Sequence, residues 1–273
     1  MIDAVVAESV TLAYRLAHRD VVAVAGATFT IPRGAITAII GPNGSGKSTL
    51  LAAIAGLHPL RDGKLVVLGS SPALARPRVA YVLQATKVNE ALPVTVGEVV
   101  AMGRFARLGL LGRPGTTDRR TVAEAMARMS LEGIATRHLD EISAGQRQRV
   151  FVAQGLAQDH DLLLLDEPIT GLDLVSAESI GEAIRQEKML GCTVVVTTHD
   201  LAEAASADHV LLMANRLVAA GPPDQALTRD HLTEAYGTSV VSIGEGFLID
   251  DAAHRHGVLR HLHRERGHQH RTD

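Results

Sequence analysis

Gly41-Pro42-Asn43-Gly44-Ser45-Gly46-Lys47-Ser48 decides the fold of this chain. The octapeptide fits the pattern G-x-x-x-x-G-K-[ST]. Before it, Ala35 to Ile40 is an apolar run that reads as a buried strand; after it, Thr49 to Gly56, rich in Leu and Ala, reads as a helix. Strand, glycine-rich loop and helix N-terminus together make an anion site. Backbone N–H groups turn into the loop, the helix dipole favours negative charge, and Lys47 reaches the outer phosphates. Ser48 then offers a hydroxyl to a magnesium ion. The reading is a nucleoside triphosphate site.

Working outward, short β-branched runs alternate with longer Ala-, Leu-, Glu- and Arg-rich stretches, the pattern of an α/β fold with a mainly parallel sheet. Core strands are expected at Ala35–Ile40, Val79–Val82, Leu162–Leu165, Thr193–Thr197 and His209–Met213. Val5–Leu12 and Val22–Ile31 read as extended strands with alternating apolar positions. From about Val94 to Leu156 the spacing turns helical, an insertion between two halves of the nucleotide core. Residues 1–237 are expected to form one nucleotide-binding domain and residues 238–273 an extension, with the His- and Arg-rich tail from Ala252 mobile.

The 273 residues suffice for a substantial core, and the formal net charge of −3 argues against a nucleic-acid partner. The single cysteine, Cys192, excludes an internal disulfide and reads as a packed thiol before Thr193-Val194-Val195-Val196. The first residues lack a signal-type apolar core, and no apolar run approaches the roughly 20 residues of a membrane span. A membrane role therefore requires a partner.

Leu162-Leu163-Leu164-Leu165-Asp166-Glu167 is the second strong signal. Its apolar strand delivers two acids to the carboxyl edge of the sheet, where open α/β sheets bind ligands. Asp166 is expected to hold magnesium and Glu167 to activate the attacking water. Ser143-Ala144-Gly145-Gln146-Arg147-Gln148-Arg149 reads as a helix start able to meet phosphate oxygens, though an ordinary capped helix has the same wording.

The ordered set of these segments resembles the ATP-binding subunits of ATP-binding-cassette (ABC) transporters, from about residue 3 to 236. Ile142-Ser143-Ala144-Gly145-Gln146 is similar to the family signature Leu-Ser-Gly-Gly-Gln. Gln84 matches the glutamine that joins the magnesium site to the transmembrane partner. Asp173, in Gly171-Leu172-Asp173, matches the aspartate facing the opposite subunit, and His199 the histidine at the γ-phosphate. Tyr14 stands where the family keeps an aromatic on adenine.

The resemblance implies a P-loop NTPase core of ABC type, with an N-terminal antiparallel β-subdomain and an inserted helical subdomain. It implies nucleotide binding by Tyr14 and the loop Gly41, Pro42, Asn43, Gly44, Ser45, Gly46, Lys47, Ser48 and Thr49. Magnesium falls to Ser48, Gln84 and Asp166, and catalysis to Glu167, His199 and Gln84. Ser143, Ala144, Gly145 and Gln146 would act in trans on the ATP of a second copy. The implied partners are that second copy, integral-membrane permease subunits and, indirectly, a substrate-binding protein. The implied location is the cytoplasmic face of the membrane, held there peripherally.

Ala144 departs from the signature. With helical φ/ψ it costs nothing; at a position needing positive φ it would impair activity. Phe105, Leu108, Leu110 and Leu111 form an apolar patch open to two readings, core packing or a groove for a partner helix.

A narrower resemblance, in Leu92 to Arg104, Phe151 to Gln158 and Gly221 to Gly237, is to manganese/zinc importers. Importers of iron siderophores, haem and cobalamin share much of this wording. A soluble ABC-type ATPase or a nucleotide-dependent metal-sensing regulator is the rival of a different class. In the tail, His254, His256, His261, His263, His268 and His270 form three His-x-His pairs at seven-residue intervals. In extended backbone each pair can share a transition-metal ion; the other reading is a solvated cationic tail.

Overall fold

The computed structural model describes residues 3–16, 19–83, 93–108, 112–237, 240–243 and 246–249. Gln84, Leu110, Leu111 and all six tail histidines lie outside the described residues. The strands are β1 Asp3–Leu16, β2 Arg19–Pro32, β3 Ile36–Ile40, β4 Asp62–Val67, β5 Val79–Val82, β6 Leu162–Leu165, β7 Thr193–Thr198, β8 His209–Met213, β9 Leu217–Gly221, β10 Val240–Ile243 and β11 Gly246–Ile249. The helices are α1 Lys47–Ile54, α2 Pro72–Ala75, α3 Val96–Met102, α4 Phe105–Leu108, α5 Thr116–Arg128, α6 Ala144–Leu156, α7 Leu174–Met189, α8 Leu201–Ala205, α9 Pro223–Ala226 and α10 Arg229–Tyr236.

A six-stranded sheet runs β5-β6-β7-β3-β8-β9, parallel except for its antiparallel edge strand β9. A three-stranded antiparallel sheet, β2-β1-β4, forms the second layer. Between β5 and β6 the described chain is helical, from α3 through α6.

The pleat of β6 explains why its four leucines are all buried. Leu162 and Leu164 join one core cluster with Leu50, Leu51 and Ile54 of α1 and Val10, Leu12 and Val24 of the antiparallel sheet. Leu163 and Leu165 join the cluster on the other face, with Val99, Val100, Val150 and Ile180 from the helices. A strand covered on both faces reads as a continuous apolar run rather than an alternating one. Truncating any of the four to Ala should cost about 2–5 kcal/mol.

One charged side chain ties the helical segment together. Arg104, 1% exposed, pairs with Asp118 of α5 (3.1 Å) and Asp159 (2.9 Å) and donates to the Ala157 carbonyl beyond α6 (2.7 Å). The patch that follows it divides: Phe105 is exposed and Leu108 partly so.

The strands beyond those expected are β4, β9 and the β10–β11 pair. β4 opens on the polar Asp62-Gly63-Lys64, with Gly63 at φ +86°, and β9 is short and Ala-rich. Both are strands because they pair at sheet edges, with β1 and β8. β10 and β11 pair antiparallel where the sequence pattern fades. Among the described residues no helix is long and apolar enough to cross a membrane.

Candidate nucleotide site

β3 lies between β7 and β8, so the loops leaving β3, β6 and β7 share the carboxyl edge of the sheet. These loops carry residues 41–48, Asp166-Glu167 and His199-Asp200.

The loop after β3 is shaped by what its glycines permit. A Cβ on Gly41 would collide with the Met213 carbonyl oxygen, so only glycine lets the two backbones pass. Gly46, at φ +96°, caps α1; a Cβ there would fall 2.5 Å from the Ala23 oxygen. No side chain caps α1 and its first turn holds no acid, which leaves that N-terminus suited to an anion. Lys47, though on the helix, turns its Nζ back to donate to the carbonyls of Gly41 (2.9 Å) and Pro42 (3.1 Å).

A residue outside the motif clamps the loop. Asn215, in the β8–β9 turn, donates from Nδ2 to the Gly44 carbonyl (3.0 Å) and from its backbone N–H to the Ser45 carbonyl (3.1 Å). Its own carbonyl accepts from Ala25 N–H (2.9 Å), and its φ is +56°. Asn is one of the few non-glycine residues at ease there. The available sequence signal was an Asn in a turn between two apolar runs.

Ser48 donates to Asp166 Oδ1 (3.0 Å), and the Thr197 hydroxyl donates to the same oxygen (2.7 Å). That hydroxyl also accepts the Glu167 N–H (2.8 Å), so one Thr on β7 spans both acids. Tyr81 of β5 also hydrogen-bonds Asp166. Burial first, then the Asp166 charge, raises its pKa well above the usual phenol value, so it remains a donor. Thr197 and Tyr81 were not among the residues expected from sequence, because the sheet brings them to Asp166 from neighbouring strands.

Glu167 has φ +45°, in the left-handed region that non-glycine residues seldom occupy. Such strain is kept where the surroundings over-determine it. Here the Thr197 bond to its N–H contributes. His199, just past β7, faces the Thr170 hydroxyl at 3.5 Å through Nδ1. Tyr14 reaches the same region from β1: its hydroxyl hydrogen-bonds Thr49 (2.8 Å), its ring meets His58 edge-on at 4.7 Å, and 43% of it is exposed. His58 is a further neighbour that sequence did not indicate.

A second group sits at the N-termini of α6 and α7. Ser143 caps α6, accepting from Gln146 N–H (3.2 Å), while Gln146 Oε1 accepts from Ser143 N–H (2.9 Å). Ala144 is the first residue of α6 and does not have positive φ, so the departure from glycine puts no strain on the backbone. Asp173 caps α7, accepting from the Ser176 N–H and hydroxyl, both at 2.9 Å. These bonds, the backbone one foremost, hold its carboxyl below the usual range. Gly145 lies against this cap.

The ABC transporter family profile matches residues 24–170. The chain is 42% identical over 213 residues to the zinc transport system ATP-binding protein TroB of Treponema pallidum, covering 78% of this chain and 80% of that one. It is 36% identical over 232 residues to the manganese transport system ATP-binding protein MntB of Listeria monocytogenes, covering 85% and 97% respectively. Among solved structures it is similar to a metal-chelate type ABC transporter in an inward-facing conformation (TM-score 0.74, 26% identity, 90% of this chain and 96% of that one). It is also similar to the dimeric ATP-binding cassette MJ0796 bound to ADP and phosphate (TM-score 0.70, 26% identity, 80% and 98%).

Fold and loop together define a P-loop ATPase. More narrowly, the chain belongs to the ABC transporter family, as an ATP-binding cassette that binds and hydrolyses ATP.

Proposed function

We propose that this chain powers the import of a transition-metal ion, manganese or zinc, as the ATPase subunit of an ABC transporter. The observation that carries the cargo is the identity to relatives named for manganese and zinc transport, over most of each chain. Those relatives weigh against an iron chelate, haem or cobalamin as cargo.

In this reading the loop 41–48 and the N-terminus of α1 bind the phosphates, and Lys47 leaves its loop carbonyls for the β- and γ-phosphates. The exposed face of Tyr14 stacks on adenine while its hydroxyl stays with Thr49. Ser48 and Asp166, with Gln84, would hold magnesium; the hydroxyl and carboxylate already converge at 3.0 Å and are the hard oxygen donors that ion takes. An ion held there would neutralise charge on the transferring phosphoryl group. Glu167 orients and deprotonates the attacking water, and His199 contacts the γ-phosphate. Thr197 positions both acids.

Ser143, Gly145 and Asp173 form a group of their own, which suits a second copy presenting them to the ATP of the first. Leu174, 88% exposed beside Asp173, and Val175 support such a face-to-face dimer. Exposed Leu83, next to Gln84 in the sequence, and exposed Phe105 suit a permease helix at the cytoplasmic face of the membrane, with a substrate-binding protein reached through the permease. ATP supplies the differential affinity between open and closed dimers that drives the permease.

The test is elemental analysis of metal-limited cells lacking this protein, complemented with wild type or Glu167→Gln. Loss of manganese or zinc restored only by wild type is expected. Loss of iron or cobalt instead, or unchanged metal content, would overturn the cargo assignment.

A further inference from the structure

At the opposite edge of the sheet from the nucleotide loops, three side chains of different chemistry converge. His160 precedes β6, Cys192 precedes β7, and Glu187 lies in the last turn of α7. One ligand atom from each lies within 4.8 Å of the other two, and the side chains are nearly fully buried.

The surrounding bonds orient this trio as ligands. His160 Nδ1 donates to the Gln158 carbonyl at 2.9 Å, and Nε2 shares a proton with Glu187 Oε2, 3.1 Å away, which an incoming metal ion would displace. A metal-bound imidazole is ordinarily held this way, by its second nitrogen on a carbonyl. The other carboxylate oxygen, Glu187 Oε1, accepts from Arg128 at 2.6 Å, so Oε2 is the one left facing the imidazole. The Cys192 thiol is close enough to the imidazole to hydrogen-bond it, and its own proton points to the Thr193 carbonyl at 3.3 Å.

We propose that His160, Glu187 and Cys192 bind a divalent ion of the zinc class, separate from the magnesium site. Imidazole, carboxylate and thiolate are a zinc donor set, and the thiolate disfavours manganese and magnesium. Tetrahedral zinc holds its ligands about 3.4 Å apart; His160 Nε2 and Glu187 Oε2 already stand 3.1 Å apart, so only Cys192 Sγ has to approach. Binding releases two protons to solvent, that of the Cys192 thiol and the one His160 Nε2 shares with Glu187 Oε2. Thiolate and carboxylate then balance the two charges of the ion, and the fourth position is left to water. The site ties the end of α7 to the entries of β6 and β7, and through Arg128 to α5. It is independent of the transported cargo, because it concerns the purified ATPase alone.

Cobalt(II) titration of the purified full-length protein tests this. Cys192 is the only cysteine, so a thiolate-to-cobalt charge-transfer band can come from nowhere else. One equivalent of cobalt should give the band, zinc should abolish it, and manganese should not. The band should persist in full-length protein with all six tail histidines changed to Gln, vanish in Cys192→Ser, and need at least about tenfold more cobalt in His160→Gln. Zinc should also raise the melting temperature of wild type but not of Cys192→Ser. No band in wild-type protein that still binds ATP would overturn the proposal, as would a band that His160→Gln leaves unchanged or that is lost with the tail histidines. Should a variant fail to fold, the wild-type spectrum and its zinc competition decide alone.

Discussion

Oδ2 of Asp173 occupies the space into which a Cβ on Gly145 would project, and Ser176 Oγ stands 2.7 Å from the same point. A side chain at position 145 would thus push against the polar ends of two neighbours in its own chain. Asp173 cannot retreat without giving up its cap on Ser176. Gly145→Ala should therefore displace both the Ser143–Gln146 turn and Asp173, the two features proposed to meet in the dimer. Misplacement by an ångström can cost on the order of 10²-fold in rate. ATPase assays should show that loss, with ATP binding to the isolated chain retained. Ala144→Gly should leave turnover nearly unchanged and destabilise α6 by no more than about 1 kcal/mol, since Ala144 sits at a helical position.

Thr197 offers a way to disturb both acids without touching either. Its buried hydroxyl donates to Asp166 and accepts from Glu167 N–H. Thr197→Val keeps the shape and leaves that N–H without its partner, a penalty of about 1–3 kcal/mol. Because Glu167 already holds positive φ, its side chain should be mispositioned, and kcat should fall with little change in KM. Glu167→Gln should be more severe, losing roughly 10²–10⁴-fold in hydrolysis while nucleotide binding persists. Equal phosphate release from Glu167→Gln and wild type would remove Glu167 from the mechanism.

Asn215 makes two separable contributions to the phosphate loop. Asn215→Gly keeps access to φ +56° and loses only the Nδ2 bond to Gly44, which should cost about 1 kcal/mol. Asn215→Val loses the bond and adds the strain of a β-branched residue at positive φ, about 1–3 kcal/mol more. Denaturant unfolding should rank wild type, Gly and Val in that order. ATP affinity should fall in the same order, because the carbonyls of Gly44 and Ser45 are what Asn215 holds.

What the sequence showed plainly was whatever is local and periodic. Leu162–Leu165 reads as a buried strand because four apolar residues in a row fit little else before two acids. Gly41–Ser48 carries its geometry in its own glycines. Asn215, Thr197 and Tyr81 carry no such signature. Each reaches the site through pairing of strands distant in sequence, and each looks alone like an ordinary turn or strand residue. The same holds for His160, Glu187 and Cys192, which stand far apart along the chain and meet only because β6 and β7 are neighbours. β4 and β9 escaped notice because edge strands have one paired side and need less apolar text.

His209 gives the fold a sensitivity to mild acid. It opens β8 opposite Thr37 of β3, with Nδ1 buried and without a hydrogen-bond partner. Burial lowers its pKa below the ordinary value of about 6.5, and the charge of Asp3 offsets this only in part. The unfolded chain therefore takes up the proton more readily than the folded one. The contribution to stability is fully present above roughly pH 6.5 and declines as pH falls from there through the depressed folded value. Replacing His209 with Gln, which carries no titrating group, should flatten the stability profile on that acidic limb relative to wild type and leave it unaltered in shape above neutrality. Denaturant midpoints measured across pH 5–8 would check this: wild-type and His209→Gln profiles that run parallel below the histidine range would show that the buried ring is not the group being titrated.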